Sequence, residues 1–177
     1  EPIAKAWKDK IEIINKSYHT KDKNRKLNSK ICFEEKIAIL KSRPGLNHKE
    51  IDFYKNYKGL ILEGTGLGHF PINILDKHTE EHKIILNSLK KLSKKLVLVM
   101  TSQTIFGRVN MNVYSTGRDL QSIGIIPAED MLTEVAYIKL GWILAQTKDL
   151  KKAREMFLEN YVGEITKRIL IEEDFLG

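Results

Sequence analysis

Residues 59–71, GLILEGTGLGHFP, constrain this chain more than any other stretch. The apolar triplet Leu60, Ile61 and Leu62 reads as a strand that empties into three alternate glycines, Gly64, Gly66 and Gly68. Glycine lets a backbone turn through positive φ and approach a neighbour with no Cβ in the way. The run therefore predicts a strand turning sharply at the carboxyl edge of a sheet, where open α/β sheets keep their sites. Its spacing is close to a dinucleotide-binding fingerprint and yet fails it. His69 stands at the third glycine position, and the polar run 81–87 stands where an acidic residue should follow about 20 positions on. Two readings stay open: a structural turn, or a place where a ligand or another chain comes close.

The flanking pattern is regular. Residues 36–41 (KIAILK) read as a strand, Arg43-Pro44-Gly45 as a turn, and Asn47 with Glu50 as a capping box. Ile51, Tyr54 and Tyr57 continue that helix to the strand at 59–63. A helix over 80–94 carries Ile85, Leu86, Leu89 and Leu92 on one stripe. Residues 95–101 form a third strand, apolar on both faces and so expected to be covered on both. A short helix over 119–123 and a strand at 124–126 complete the layer. Strand–helix–strand repeats of this kind predict an α/β fold, a flavodoxin-like parallel sheet with helices on both faces. The expected order places the second strand at the edge, then the first, third and fourth. Pro127 is expected to open a helix with Glu129 and Asp130 in its first turn. Met131, Leu132, Val135, Tyr137, Ile138, Leu140, Trp142 and Ile143 surround that helix and predict its burial. Asp149 caps a last helix whose Leu150, Ala153, Phe157 and Tyr161 face inward. Residues 164–177 have no period and are expected to dock on a partner.

Composition narrows the classes. One cysteine, Cys32, excludes an internal disulfide framework and suits a reducing, cytoplasmic setting. The pair His78 and His82 has helical spacing among solvated residues, which reads as an exposed helix face with no metal site. No apolar run reaches the length of a membrane span. Residues 1–58 hold 15 Lys and Arg against 8 Asp and Glu, while residues 59–177 hold 15 against 15, so the net charge of +7 lies in the first third. Residues 16–30 are a Lys-, Asn- and Ser-rich stretch, read as a solvated linker, with phosphate contact as the alternative. The alternation Ile11-Glu12-Ile13 is strand-like with no partner nearby.

A second candidate site spans residues 101–116, TSQTIFGRVNMNVYST, where the third strand ends beside an expected reversal of strand order. Its Ser, Thr, Gln, Asn and Tyr residues are neutral donors and acceptors suited to an amide-bearing ligand or another chain's backbone. A polar loop satisfying its own carbonyls is the alternative. Nothing in the chain pairs a nucleophile with a base and an orienting acid at suitable spacing.

Together, GLILEGTGLGHFP, GRVNMNVYSTGR, IPAEDM and the closing helix resemble the C-terminal domain of the L-asparaginase family. Within it the wording is similar to the D-type subunit family of archaeal glutamyl-tRNA(Gln) amidotransferases over roughly residues 34–164. The upstream IAKAWKDKIEIINKSYHTKDKN resembles the last hairpin of that family's N-terminal domain and the linker after it. The resemblance implies three parts: residues 1–33 as domain end and basic linker, 34–163 as the asparaginase-like α/β domain, and 164–177 as a tail. It implies a subunit that releases ammonia from glutamine or asparagine. A partner, the E-type subunit of the amidotransferase, uses ATP and Mg to activate the glutamyl group on tRNA(Gln). It also implies a homodimer through the asparaginase-like domains, with no cofactor held by this chain. The family's threonine nucleophile motif has no counterpart here, so no catalytic residue is carried over and the chain alone is expected to be inactive. By the resemblance, Gly64, Thr65, Gly66, Gly68, His69, Asn110, Asn112 and Tyr114 complete the active site of a neighbouring subunit. Tyr114 stands where periplasmic-type asparaginases carry glutamate. Thr101, Ser102, Gln103 and Thr104 match a loop that binds an allosteric amide in some cytosolic asparaginases. A plain L-asparaginase and a stand-alone α/β ligand-binding module are the competing functions.

Overall fold

A computed structural model describes residues 3–16, 18, 22–24, 26 and 29–166, in two compact units divided between Lys30 and Ile31. In the first unit, β1 (Ala4–Ala6) pairs antiparallel with β2 (Ile11–Ile13), with Ala4 opposite Ile13 and Ala6 opposite Ile11. The alternation at 11–13 therefore has a partner, in keeping with the hairpin that the resemblance implies. Residue pattern alone hides that partner, because Ala4-Lys5-Ala6 carries no β-branched or aromatic signal. The Trp7 N–H donates to the Lys10 carbonyl at 2.7 Å and closes the turn.

The second unit holds a four-stranded parallel sheet. Its strands are β3 (Ile37–Lys41), β4 (Gly59–Gly64), β5 (Val97–Ser102) and β6 (Ile126–Pro127), in that spatial order. Between them run α1 (His48–Asp52), α2 (Glu81–Leu92) and α3 (Ser115–Ser122); α4 (Thr133–Gln146) and α5 (Leu150–Phe157) follow the last strand. Asn47 caps α1 through a complete capping box with Glu50, and Asp149 caps α5 by accepting from the Lys151 and Lys152 N–H groups.

The parallel sheet covered on both faces agrees with the sequence reading; the strand order does not. No reversal occurs, so the first strand is an edge and the second is central. The physical reason lies in handedness. Three right-handed crossovers that step in one direction place α1, α2 and α3 on the same face. Ile51, Ile85, Leu89 and Leu120 from those helices pack there with Leu60, Leu62, Leu98 and Met100. The opposite face, with Ile61, Val97 and Val99, is covered by Leu140, Ile143, Ala153 and Phe157 from α4 and α5. Helices arriving after the last strand supply the second layer, and the sheet needs no switch point to gain it.

Other expectations are corrected locally. Pro127 ends β6, and α4 begins at Thr133. Glu129 and Asp130 lie in the connecting loop. That helix is not buried all round: Val135 and Ile138 are 38% and 60% exposed, and Leu132, which precedes its first residue, is 44% exposed. Tyr161 is likewise 38% exposed. The short helix spans Ser115–Ser122 rather than 119–123, and Gly117 in its first turn sits directly against the Met111 backbone. His78 lies in the turn before α2, so it shares no helix face with His82. Phe33, assigned from sequence to the linker, belongs to the second unit, where its ring fills the space over Gly141. The Glu34 N–H donates to the Gly141 carbonyl at 3.0 Å beside it. Within the tail, Ile165 packs on the second core; residues 167–177 lie outside the described residues.

Candidate functional site

Both sequence-predicted segments emerge at the carboxyl ends of adjacent strands. After β4, residues 65–69 form a closed turn in which Thr65 and His69 exchange backbone hydrogen bonds of 3.0 and 2.9 Å. Gly68 has φ 101°, and a Cβ there would lie 2.8 Å from Val109 Cγ1. At Gly64 a Cβ would lie 2.7 Å from the His69 carbonyl oxygen. The close approach these glycines allow is made by the chain's own backbone and core, which is the structural-turn reading of the motif.

The second segment locks onto that turn. The Asn110 N–H donates to the Leu67 carbonyl at 3.0 Å, and the Gln103 N–H donates to the Gly64 carbonyl at 2.8 Å. Ser102 Oγ donates to the Gly66 carbonyl at 2.6 Å and lies 2.8 Å from Thr104 Oγ1. Gln103 Nε2 donates to the Ser42 and Glu63 carbonyls at 2.7 and 3.2 Å. Thr101 is fully buried, its hydroxyl 2.9 Å from that of Thr133. Thus Thr101, Ser102 and Gln103 spend their polar atoms on the edge itself, and Gln103, just after β5, ties the loop after β3 to the end of β4.

Other side chains at this edge reach outward. The rings of His69 and Tyr114 are tilted against each other with centroids 5.0 Å apart. Tyr114 is 55% exposed, and Thr65, Asn110 and Asn112 are exposed as well. Arg118 on α3 donates to the Asn112 and Val113 carbonyls at 2.9 and 3.3 Å, so helix position sets the course of the segment. Gly117 lets α3 sit directly on the Met111 backbone. Sequence reasoning singled out neither Gly117 nor Arg118. It also passed over Ile105 and Phe106, 74% and 89% exposed at the tip of the loop. Their signal was an apolar pair inside an otherwise polar run.

A cleft of about 580 Å³ opens beside the glycine turn, lined among others by Ser42, Arg43, Thr65, His69, His82 and Gln103. Its cations are engaged: Arg43 pairs with Glu50 at 2.5 Å and Lys41 with Glu63 at 3.5 Å. His82 Nδ1 lies 2.6 Å from the Asn73 carbonyl. The edge as a whole offers neutral hydrogen-bonding groups and the exposed apolar residues Ile105, Phe106 and Val113. Among the described residues, no group of three or more His, Cys, Asp or Glu is arranged to hold a metal ion. No helix among them is long and apolar enough to cross a membrane.

Comparison with known proteins gives the edge a context. Residues 36–157 match the family model described as the glutaminase/asparaginase C-terminal domain. The D-type subunit of glutamyl-tRNA(Gln) amidotransferase from Pyrococcus abyssi is 46% identical over 169 residues, covering 93% of this chain and 36% of that protein. The corresponding D-type subunit from Methanobrevibacter smithii is 38% identical over 174 residues, covering 97% of this chain and 38% of that protein. The chain therefore spans little more than a third of the length of these relatives. Among solved structures, the thermostable L-asparaginase of Thermococcus kodakarensis superposes with TM-score 0.79 at 26% identity, covering 94% of this chain and 48% of that one. L-asparaginase I of Vibrio cholerae gives 0.78 at 25% identity, covering 93% and 48%.

Proposed function

The chain belongs to the glutaminase/asparaginase C-terminal domain family, and on that premise we propose that it is part of the amide-hydrolysing subunit of a tRNA-dependent amidotransferase. In this reading the complete D-type subunit frees ammonia from glutamine. An ATP- and Mg-using partner, the E-type subunit, activates Glu-tRNA(Gln), and the ammonia converts it into Gln-tRNA(Gln) in the cytoplasm. The observation that carries the reading is the 46% identity to an amidotransferase subunit across 93% of the chain, against 26% to an L-asparaginase of the same fold.

The role of this domain is to complete an amide site, not to perform the chemistry. The carboxyl edge, with Tyr114, Asn112, Asn110 and His69 on a floor fixed by Ser102 and Gln103, faces the catalytic domain of an opposing subunit in a homodimer. Neutral donors and acceptors suit that task, since a side-chain amide carries an acceptor oxygen and an NH2 with two donor hydrogens, and no charge. A deeply paired edge also holds its outward groups in place before substrate arrives.

The test uses the complete subunit with its ATP-dependent partner and Glu-tRNA(Gln). Tyr114→Phe and Asn112→Ala should lower glutamine-driven formation of Gln-tRNA(Gln) and leave amidation driven by added ammonium salt intact. Unchanged glutamine-driven rates in both variants would remove the edge from the amide site. Rapid hydrolysis of free asparagine with no effect of tRNA or partner would favour a plain L-asparaginase instead.

A further inference from the structure

The chain after α5 does not simply trail away from the fold. Lys139, 7% exposed in the middle of α4, pairs with Glu164 at 2.6 Å and donates to the Glu159 carbonyl. Its ammonium lies 5.4 and 5.3 Å from the ring centroids of Phe157 and Tyr161. Asn160 closes the turn, donating to the Ile165 carbonyl and accepting from the Gly163 N–H, both at 2.7 Å. These contacts, with Ile165 packed on the second core, are enough to hold the segment down.

A second set of bonds continues past that anchor. The Thr166 N–H donates to Asp130 at 2.9 Å, and its hydroxyl donates to the other oxygen of the same carboxylate. The Thr166 carbonyl accepts from Arg108 at 3.3 Å. Arg108 also pairs with Glu129, whose carbonyl accepts the Val109 N–H at 2.7 Å. Glu129 has φ 58°, a left-handed conformation that a non-glycine residue keeps only where its neighbours enforce it. Val109 opens the stretch carrying Asn110, Asn112 and Tyr114.

We infer that residues 160–166 form a positioning latch for the carboxyl-edge segment 108–114, with Thr166, Asp130 and Arg108 as its joint. Thr166 and Asp130 hold the strap end beside Arg108. Arg108 holds Glu129 in its left-handed turn. The Glu129 carbonyl then fixes where the segment starts. The latch is a property of this chain whatever the edge binds; only its consequence for amide chemistry rests on the proposed function. Thr166, Asp130 and Arg108 are positioning residues and touch no reacting atom in this scheme.

Amide hydrogen exchange on the intact chain tests it. Asp130→Ala removes both bonds to Thr166 and should accelerate exchange of the Val109 and Asn110 N–H groups by about fivefold or more. The Ile61 and Val99 amides in the sheet centre should stay at their original rates. Asp130→Asn, which keeps an acceptor for Thr166, should restore most of the protection. If Asp130→Ala loosens the whole fold, Thr166→Val, which removes only the hydroxyl bond to Asp130, should give a smaller rise at the same two amides. Val109 and Asn110 rates that stay unchanged, or that rise only in step with the sheet centre, would overturn the latch. Accelerated exchange with unaltered glutamine-driven turnover in the complete enzyme would leave the latch standing and sink the amide-site reading.

Discussion

Replacing Gly117 by alanine is the most direct way to ask whether α3 sets the path of the candidate segment. Gly117 is the third residue of α3 and is buried. A Cβ built there would stand 2.8 Å from Met111 Cα and 2.9 Å from its carbonyl carbon, closer still to the carbonyl oxygen. Ordinary glycine-to-alanine changes inside helices gain about 1 kcal/mol. Here the obstruction is backbone, which cannot swing aside as a side chain can, so overpacking of about 1–3 kcal/mol toward the upper end applies. The net effect is a loss on the order of 1–2 kcal/mol, or a fall in Tm of roughly 2–8 °C for a domain of this size. The strain is relieved by moving residues 110–113, which are held on their other side by Leu67 and on this side by Arg118. Thermal unfolding by circular dichroism, with backbone chemical shifts of residues 109–114, reads both effects. A variant with a higher Tm than the parent, or with unshifted resonances at 110–113, would refute the argument.

Lys139→Met should cost about 3–5 kcal/mol in urea unfolding, because it leaves the Glu164 carboxylate, 9% exposed, without its cation. The double variant with Glu164→Gln should recover much of that loss. Burial pushes the Glu164 carboxyl up, but the Lys139 ammonium and the N–H groups of Val162, Glu164 and Tyr161 outweigh it and hold it at about 2 against an ordinary 4.5. The stability it contributes is therefore complete above pH 4.5 and lost as pH falls toward 2, and Glu164→Gln should flatten that acid limb. Glu81, lowered by the His48 N–H and then by the His48 ring, acts with the same sign. Phe33→Ala should cost about 1–3 kcal/mol by emptying the space over Gly141, less than a full core truncation because Phe33 is 40% exposed; guanidinium unfolding measures it.

What the sequence determined was the set of elements and their amphipathic faces. Val97-Leu98-Val99-Met100 has no polar residue to turn outward, so it had to be a strand covered twice, and it is. Asn47 with Glu50 and Asp149 before α5 are local hydrogen-bonding devices, readable because cap and recipient lie within three residues of each other. The family was legible because GLILEGTGLGHFP and GRVNMNVYSTGR are specific wordings. Tertiary structure decided what depends on residues far apart. The strand order came from crossovers that all step in one direction, which leaves the second face to α4 and α5, and no local pattern announces that. Pro127 carries the φ of a helix start, yet pairing of Met100 with Pro127 across the sheet placed it in β6. The glycines' function as packing sites against Val109, Met100 and His69 depended on which chain came close, and spacing is silent on that. Likewise Glu129 and Asp130 look like helix-end charges by position. Only the folded chain brings Arg108 and Thr166 to them, because a charged hydrogen bond is defined by separation in space and those partners are distant in sequence.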